Sequence, residues 1–258
     1  MKPVSRAKLL KEFEKETREA LLSQIENSLR KKYPELFLIY REITQIHSLP
    51  ERNECVKLMR EVDRKFGGGV YGELLMRKGY FQVVHNHLAN DLTQLLNLLD
   101  TRRNVEICAG MGKISYWVKR GGIEITATDS GVKIKGDERY VKRMSYKKAL
   151  EKFDPQTVVA AWPIPYDARF VGNIMKHPSV KNLIILGKGG FIARKYGKSI
   201  LNYGEIVPLH INTSPSAADS TINNTDYGPN VKKSIKKFFQ FGESDKLHQS
   251  ILIRAVRK

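Results

Sequence analysis

The apolar positions along this 258-residue chain change period once, near residue 100. Before that point they recur at helical spacing. In SRAKLLKEFEKETREALLSQIENSLRKKY, residues Leu9, Leu10, Phe13, Leu21, Leu22, Ile25 and Leu29 stand three and four apart with charges between them. That is the period of an amphipathic helix. Ser5 is placed to cap it and Pro34 to end it. PELFLIYREITQIHSL and PERNECVKLMREVDRKF predict two further helices, each opening on a proline. The run Gly67–Gly69 predicts a break, and HLANDLTQLLNLLD (87–100) a helix leading into the next segment. Residues 1–100 are therefore expected to form a helical N-terminal region.

From residue 104 the pattern turns to short apolar, β-branched runs alternating with helical ones. VEICA (105–109), IEITATD (123–129), RYVKRM (139–144), TVVAAW (157–162) and NLIILG (182–187) predict strands. KISYWVKRG, KKALEKF and DARFVGNIMKH predict helices between them, and FIARKYGKSILNYG one after the fifth strand. Alternation of this kind predicts an α/β fold with a mainly parallel sheet and helices on both faces. EIVPLHI reads as a sixth strand, and IKKFFQF and QSILIRAV as an antiparallel C-terminal pair. The polar stretch 212–230 is too long for a turn.

Charge sharpens this division. The net charge is +18. Residues 1–100 hold 17 Lys/Arg against 14 Asp/Glu, whereas residues 101–258 hold 28 against 13. The positive field belongs to the α/β segment and suits a polyanion, nucleic acid above all. No apolar run reaches the roughly 20 residues of a membrane span, and the first residues lack the apolar core of a signal peptide. Cys55 and Cys108 have no neighbours at metal spacing, so no metal site is expected, and the chain reads as a reduced, cytoplasmic protein.

The candidate chemistry lies in NVEICAGMGKISYWVKRGGIEITATDS (104–130). Glu106, Gly110 and Gly112 form E-x-x-x-G-x-G where a strand passes into a helix. Glycines there permit positive φ and close approach of a ligand to the backbone. Asp129 ends the next strand, where an acid can accept both hydroxyls of a ribose. A dinucleotide site wants G-x-G-x-x-G, but Ser115 stands at the third glycine. A carboxylate at Glu106 also favours a cationic ligand over a pyrophosphate.

Together these features resemble the class I, Rossmann-fold S-adenosylmethionine (SAM) methyltransferases, over residues 101–258. The resemblance implies SAM as cofactor, held by Glu106, Cys108, Ala109, Gly110, Gly112 and Asp129, with Cys108 standing where the first glycine is usual. Ser145, at the end of the third strand, is the candidate for the adenine contact. AWPIPYD (161–167) ends the fourth strand, with Trp162 against the cofactor and Tyr166 as an aromatic lip. No acid or amide precedes Pro163, unlike the pattern of amino-methylating members. Ribose 2′-O members use a Lys-Asp-Lys-Glu set, for which Lys78 or His85, Asp167, Lys188 and Glu205 are the candidates here. The expected activity is methyl transfer to RNA, with ribose 2′-O or cap methylation as candidates. The alternatives are a methyltransferase of a small molecule or protein, or an inactive module that binds nucleic acid. Arg139, Lys142, Arg143, Lys147 and Lys148 interleave with Tyr140 and Tyr146, and Lys232, Lys233, Lys236 and Lys237 precede Phe238 and Phe239. Both clusters suit phosphate contact with base stacking.

Overall fold

Five helices precede the first strand in the computed structural model, which describes residues 6–80, 83–131, 137–161, 169–186, 204–209 and 250–255. They are α1 (Arg6–Lys32), α2 (Pro34–Ile43), α3 (Arg52–Phe66), α4 (Val70–Arg77) and α5 (Asn86–Leu98). Proline opens α2 as expected. Helix α3 starts later than Pro50, after Glu51, whose backbone N–H donates to the Glu54 carboxylate at 3.3 Å. Helix α4 is hidden in the sequence by its short length and by the glycines ahead of it. Gly69 serves as its N-cap in the left-handed region (φ 89°), and Tyr71, Leu74 and Leu75 turn inward. No helix among the described residues is long and apolar enough to cross a membrane.

The α/β segment continues with β1 (Asn104–Ile107), α6 (Lys113–Arg120), β2 (Ile125–Asp129), β3 (Val141–Arg143) and α7 (Tyr146–Phe153). It ends with β4 (Thr157–Ala161), α8 (Phe170–Met175), β5 (Asn182–Leu186), β6 (Gly204–Leu209) and β7 (Ser250–Ala255). The sheet order is β3-β2-β1-β4-β5-β7-β6. Strands β3, β2, β1, β4 and β5 are mutually parallel, a Rossmann-like arrangement. Strand β7 runs antiparallel to both β5 and β6. The order reverses between β1 and β4, which opens a crevice beyond their carboxyl ends. Three strands are shorter than their apolar runs. Strand β1 stops at Ile107 because Cys108 takes φ 58°, which no extended strand allows. Strand β3 starts late because residues 137–140 form a turn, with Tyr140 N–H donating to Asp137 O. Residues 123–124 precede β2 without joining it.

Helices cover both sheet faces. Val158 and Val159 are adjacent and both fully buried, but they enter different cores, as the period of two requires. Val158, Val105, Leu183 and Ile185 pack with α7 and α8. Val159, Ile125 and Ile184 pack with α6 and with Leu88, Leu92 and Leu96 of α5. Helices α1–α4 build a further core around Leu29, Ile43, Leu58 and Leu74. Met111 of the glycine turn packs against that core, so the helical region borders the crevice.

Candidate functional site

The glycine turn leaves β1 through a chain of local constraints. Ala109 N–H donates to Thr128 O at 3.1 Å, and Thr128 Oγ1 donates to Glu106 O at 3.0 Å, so the turn is laced to β2. Gly112 N–H closes on Ala109 O at 2.8 Å. Cys108, Gly110 and Gly112 all have positive φ, at 58°, 55° and 75°. Cys108 thus holds the left-handed conformation that a glycine would take more cheaply. At Gly112 a side chain has no room: an added Cβ would lie 2.6 Å from Val141 Cγ2.

Asp129 and Gly110 meet across the turn. Gly110 N–H donates to Asp129 Oδ2 at 3.0 Å, and Gly131 N–H donates to Oδ1 at 2.8 Å. The half-buried carboxylate is therefore fixed by two backbone amides. Each of its oxygens keeps a lone pair for a further donor.

Glu106 is fully buried at the base of the cleft. Ser115 donates both its backbone N–H, at 3.0 Å, and its hydroxyl to Glu106 Oε2. The carboxylate so satisfies an amide in the first turn of α6, which the glycine N-cap leaves without a side-chain acceptor. The other oxygen, Oε1, is buried and has no partner among the described residues. Burial pushes the Glu106 carboxyl up to about 7, the Ser115 donors pull it back, and the nearby Asp129 charge raises it further. A cation beside Oε1 would reverse that penalty.

Lys113 opens α6 and lines the same cleft, yet its ammonium points out of it. Nζ donates to Glu42 O at 3.0 Å and Ile43 O at 2.9 Å, the last two carbonyls of α2. Burial lowers Lys113 to about 7. Trp117 Nε1 donates to Ile46 O at 3.0 Å one turn further on. These bonds tie the helical region to the start of α6. Tyr80, Val84, Met111, Ile114 and Ala161 supply the cleft's apolar lining, with Tyr80 and Val84 contributed by the segment before α5.

Of the residues singled out in the sequence, Glu106, Cys108 and Ala109 line the cleft, and Asp129 binds the turn that forms its rim. Ser145 is exposed and caps α7, accepting Lys148 N–H at 3.4 Å. Lys78 pairs with Glu26 at 3.1 Å, and His85 is the buried N-cap of α5, accepting Leu88 N–H at 3.2 Å. Glu205 is placed by its backbone register alone. In register it lies opposite Arg254, which also lies opposite Asn182, the first residue of β5. Glu205 is therefore at the amino end of the parallel strands, roughly 13 Å along the sheet from the carboxyl ends that face the cleft. Trp162, Tyr166, Asp167, Lys188, the 212–230 stretch and the lysines of 232–237 lie outside the described residues. Lys113, Tyr80 and Met111 line the cleft and Ser115 bonds Glu106 behind it, and none of the four is a site candidate by sequence pattern.

No protein-family model matches the chain. No curated protein matches it either. Among solved structures it is similar to a candidate caffeoyl-CoA O-methyltransferase from Staphylococcus aureus, at 12% identity and a TM-score of 0.34, covering 77% of this chain and 98% of that one. A likeness that low decides neither fold nor chemistry, which rest on the geometry above.

Proposed function

We propose that this chain is a SAM-dependent methyltransferase that acts on RNA. The observation that carries the reading is the buried Glu106 carboxylate behind a glycine turn, with one oxygen satisfied by Ser115 and the other unpartnered among the described residues. An orphaned buried acceptor needs a donor, and a carboxylate in an apolar cleft needs a cation. The ammonium of SAM's methionine part supplies both. Asp129, held by Gly110 and Gly131, is placed to accept the ribose hydroxyls. The left-handed turn lets the cofactor lie against the backbone, and Val84, Met111, Ile114 and Ala161 supply apolar contacts for its uncharged parts. The sheet order puts this cleft at the switch point between β1 and β4, where α/β folds bind ligands.

When bound, the cofactor supplies an electrophilic methyl group on sulfur. The residues of this chain orient it, exclude water from Glu106 and match its positive charge. The RNA part of the reading rests on charge. Arg102, Arg103, Lys119, Arg120, Lys142, Arg143, Lys147 and Lys148 are all exposed on the α/β segment. Such a field concentrates a polyphosphate substrate near the crevice.

The test is transfer of labelled methyl from SAM to pools of RNA, DNA, protein and small metabolites. Label in RNA alone supports the proposal. Label in another pool keeps the methyltransferase and removes the RNA assignment.

A further inference from the structure

The fold assembles an aromatic and basic cluster that the sequence does not show. His47, from the turn after α2, meets Tyr116 of α6 and Tyr140 of the turn before β3. Ring centroids are 4.9 Å apart for His47–Tyr116, 5.7 Å for His47–Tyr140 and 5.6 Å for Tyr116–Tyr140. All three pairs are edge-to-face, and Tyr140 Oη lies 3.4 Å from His47 Nε2. Two guanidinium groups flank the rings. Arg120 lies 5.9 Å from the Tyr116 centroid and 5.3 Å from that of Trp117. Arg139 lies 5.5 Å from the Tyr140 centroid.

Three features set this cluster apart from core packing. His47, Arg120 and Arg139 are exposed, and Tyr116 and Tyr140 are only half-buried. None of the three rings belongs to the hydrophobic cores. Tyr146, in contrast, lies against Phe170 at 5.0 Å and accepts Asn173 Nδ2 at 2.9 Å, so the fold separates it from Tyr140. The cluster also adjoins the glycine turn: Tyr116 N–H donates to Gly112 O at 2.9 Å, and Tyr116 lies one helical turn beyond cleft-lining Lys113.

We propose that His47, Tyr116 and Tyr140 form a stacking platform for unpaired nucleotides, with Arg120 and Arg139 contacting the phosphates on either side. This rests on the reading of the chain as RNA-directed and names the surface that receives the strand. Rings that are open to solvent in part offer faces to unstacked bases of any sequence, and arginines beside them bind backbone phosphate and stack as well. Arg139 is already paired with Asp137 at 2.6 Å. A phosphate would therefore compete for that guanidinium, and Arg120, which pairs with no acid among the described residues, is the stronger anchor. A duplex keeps its base faces covered and gains nothing from the rings.

The experiment is fluorescence anisotropy with a labelled 12-nucleotide oligouridine RNA, the DNA strand of the same length, and a 12-base-pair RNA duplex. The proteins are wild type, Tyr116→Leu/Tyr140→Leu, Tyr116→Phe/Tyr140→Phe and His47→Ala. A variant with Arg30→Ala and Lys31→Ala in α1 is the control for general charge. His47 is exposed, so His47→Ala keeps the test decisive if the leucine pair does not fold. The expected result is single-strand binding weakened roughly ten-fold or more by the leucine pair and several-fold by His47→Ala. The phenylalanine pair and the α1 control should bind as wild type does. Matching losses on the DNA strand also support the platform and show that it ignores the sugar. Wild-type affinity in both His47→Ala and the leucine pair, no single-strand binding at low salt, or equal affinity for the duplex overturns it. SAM titrated into the same proteins reads the cofactor site separately. Intact SAM binding with no strand binding defeats the platform alone, and the reverse defeats the methyltransferase reading alone.

Discussion

Ser115 donates twice to one oxygen of Glu106 and leaves the other buried and unpartnered among the described residues. The pair makes α6 and β1 one unit and leaves a half-satisfied carboxylate facing the cleft. The carboxyl sits at about 7 only while it lacks a cation, because burial is the dominant cause of its rise. Binding of an ammonium should therefore release a proton near neutrality. SAM affinity should rise about ten-fold from pH 6 to pH 8 and level off above. Glu106→Gln should flatten that profile and weaken binding about ten-fold or more at pH 8. Calorimetry across buffers of different ionisation heat checks both.

The same group sets a stability profile in the unliganded protein. Its folded pKa is raised from 4.5 to about 7, so its contribution is fully present below 4.5 and is lost as pH rises through about 7. Wild type should lose stability relative to Glu106→Gln across that window. Urea midpoints at pH 4.5, 6 and 8 measure it, and a constant difference would contradict the burial of Glu106 as an acid.

Lys113 joins α6 to the end of α2 through two carbonyls. Lys113→Met should remove roughly 1–3 kcal/mol of stability by taking the donor from Ile43 O, while Glu42 O keeps the Gln45 N–H at 3.3 Å. The pH sign is opposite to that of Glu106. The folded pKa is lowered from 10.5 to about 7, so wild type should gain stability from pH 7 towards 10, and the methionine variant should not. Thermal unfolding at pH 7 and 9.5 checks it.

Gly112→Ala puts a methyl group 2.6 Å from Val141 Cγ2 at a backbone φ of 75°. The loss should be roughly 2–4 kcal/mol, from steric overlap and left-handed strain together. Adding Val141→Ala should recover the steric share and leave the strain. A double-mutant cycle in denaturant separates the two.

Asp129→Asn keeps one acceptor oxygen, whereas Asp129→Ala frees the amides of Gly110 and Gly131. The asparagine variant turns its NH2 towards one of those amides, so it should lose about 1 kcal/mol of stability and bind SAM about ten-fold more weakly. The alanine variant should also lose roughly 1–3 kcal/mol of stability.

The turn was legible in the sequence because its determinants are local. Glu106, Gly110, Gly112 and Asp129 carry a backbone demand or a strand-end position that spacing alone reveals, and Gly110 does meet Asp129. Ser115 was not legible as the Glu106 partner, since it reads only as the place of a missing glycine. The role of Lys113 is not legible in the sequence, because its burial depends on α2, some 70 residues earlier. Helix α4 is not legible because eight residues between glycines show barely two turns of periodicity. The end of the sheet at which Glu205 lies is not legible in the sequence, because it follows only from the register of β6 against β7. The His47–Tyr116–Tyr140 cluster joins three segments whose meeting no linear pattern encodes.

The central claim is that the cleft behind Glu106 and Asp129 holds SAM, and calorimetric titration tests it most directly. SAM and S-adenosylhomocysteine would be titrated into wild-type protein and Glu106→Gln at pH 8, with folding checked by circular dichroism. The account predicts binding in the micromolar range for wild type, weakened about ten-fold or more by Glu106→Gln. Folded wild-type protein that takes up neither compound would contradict it.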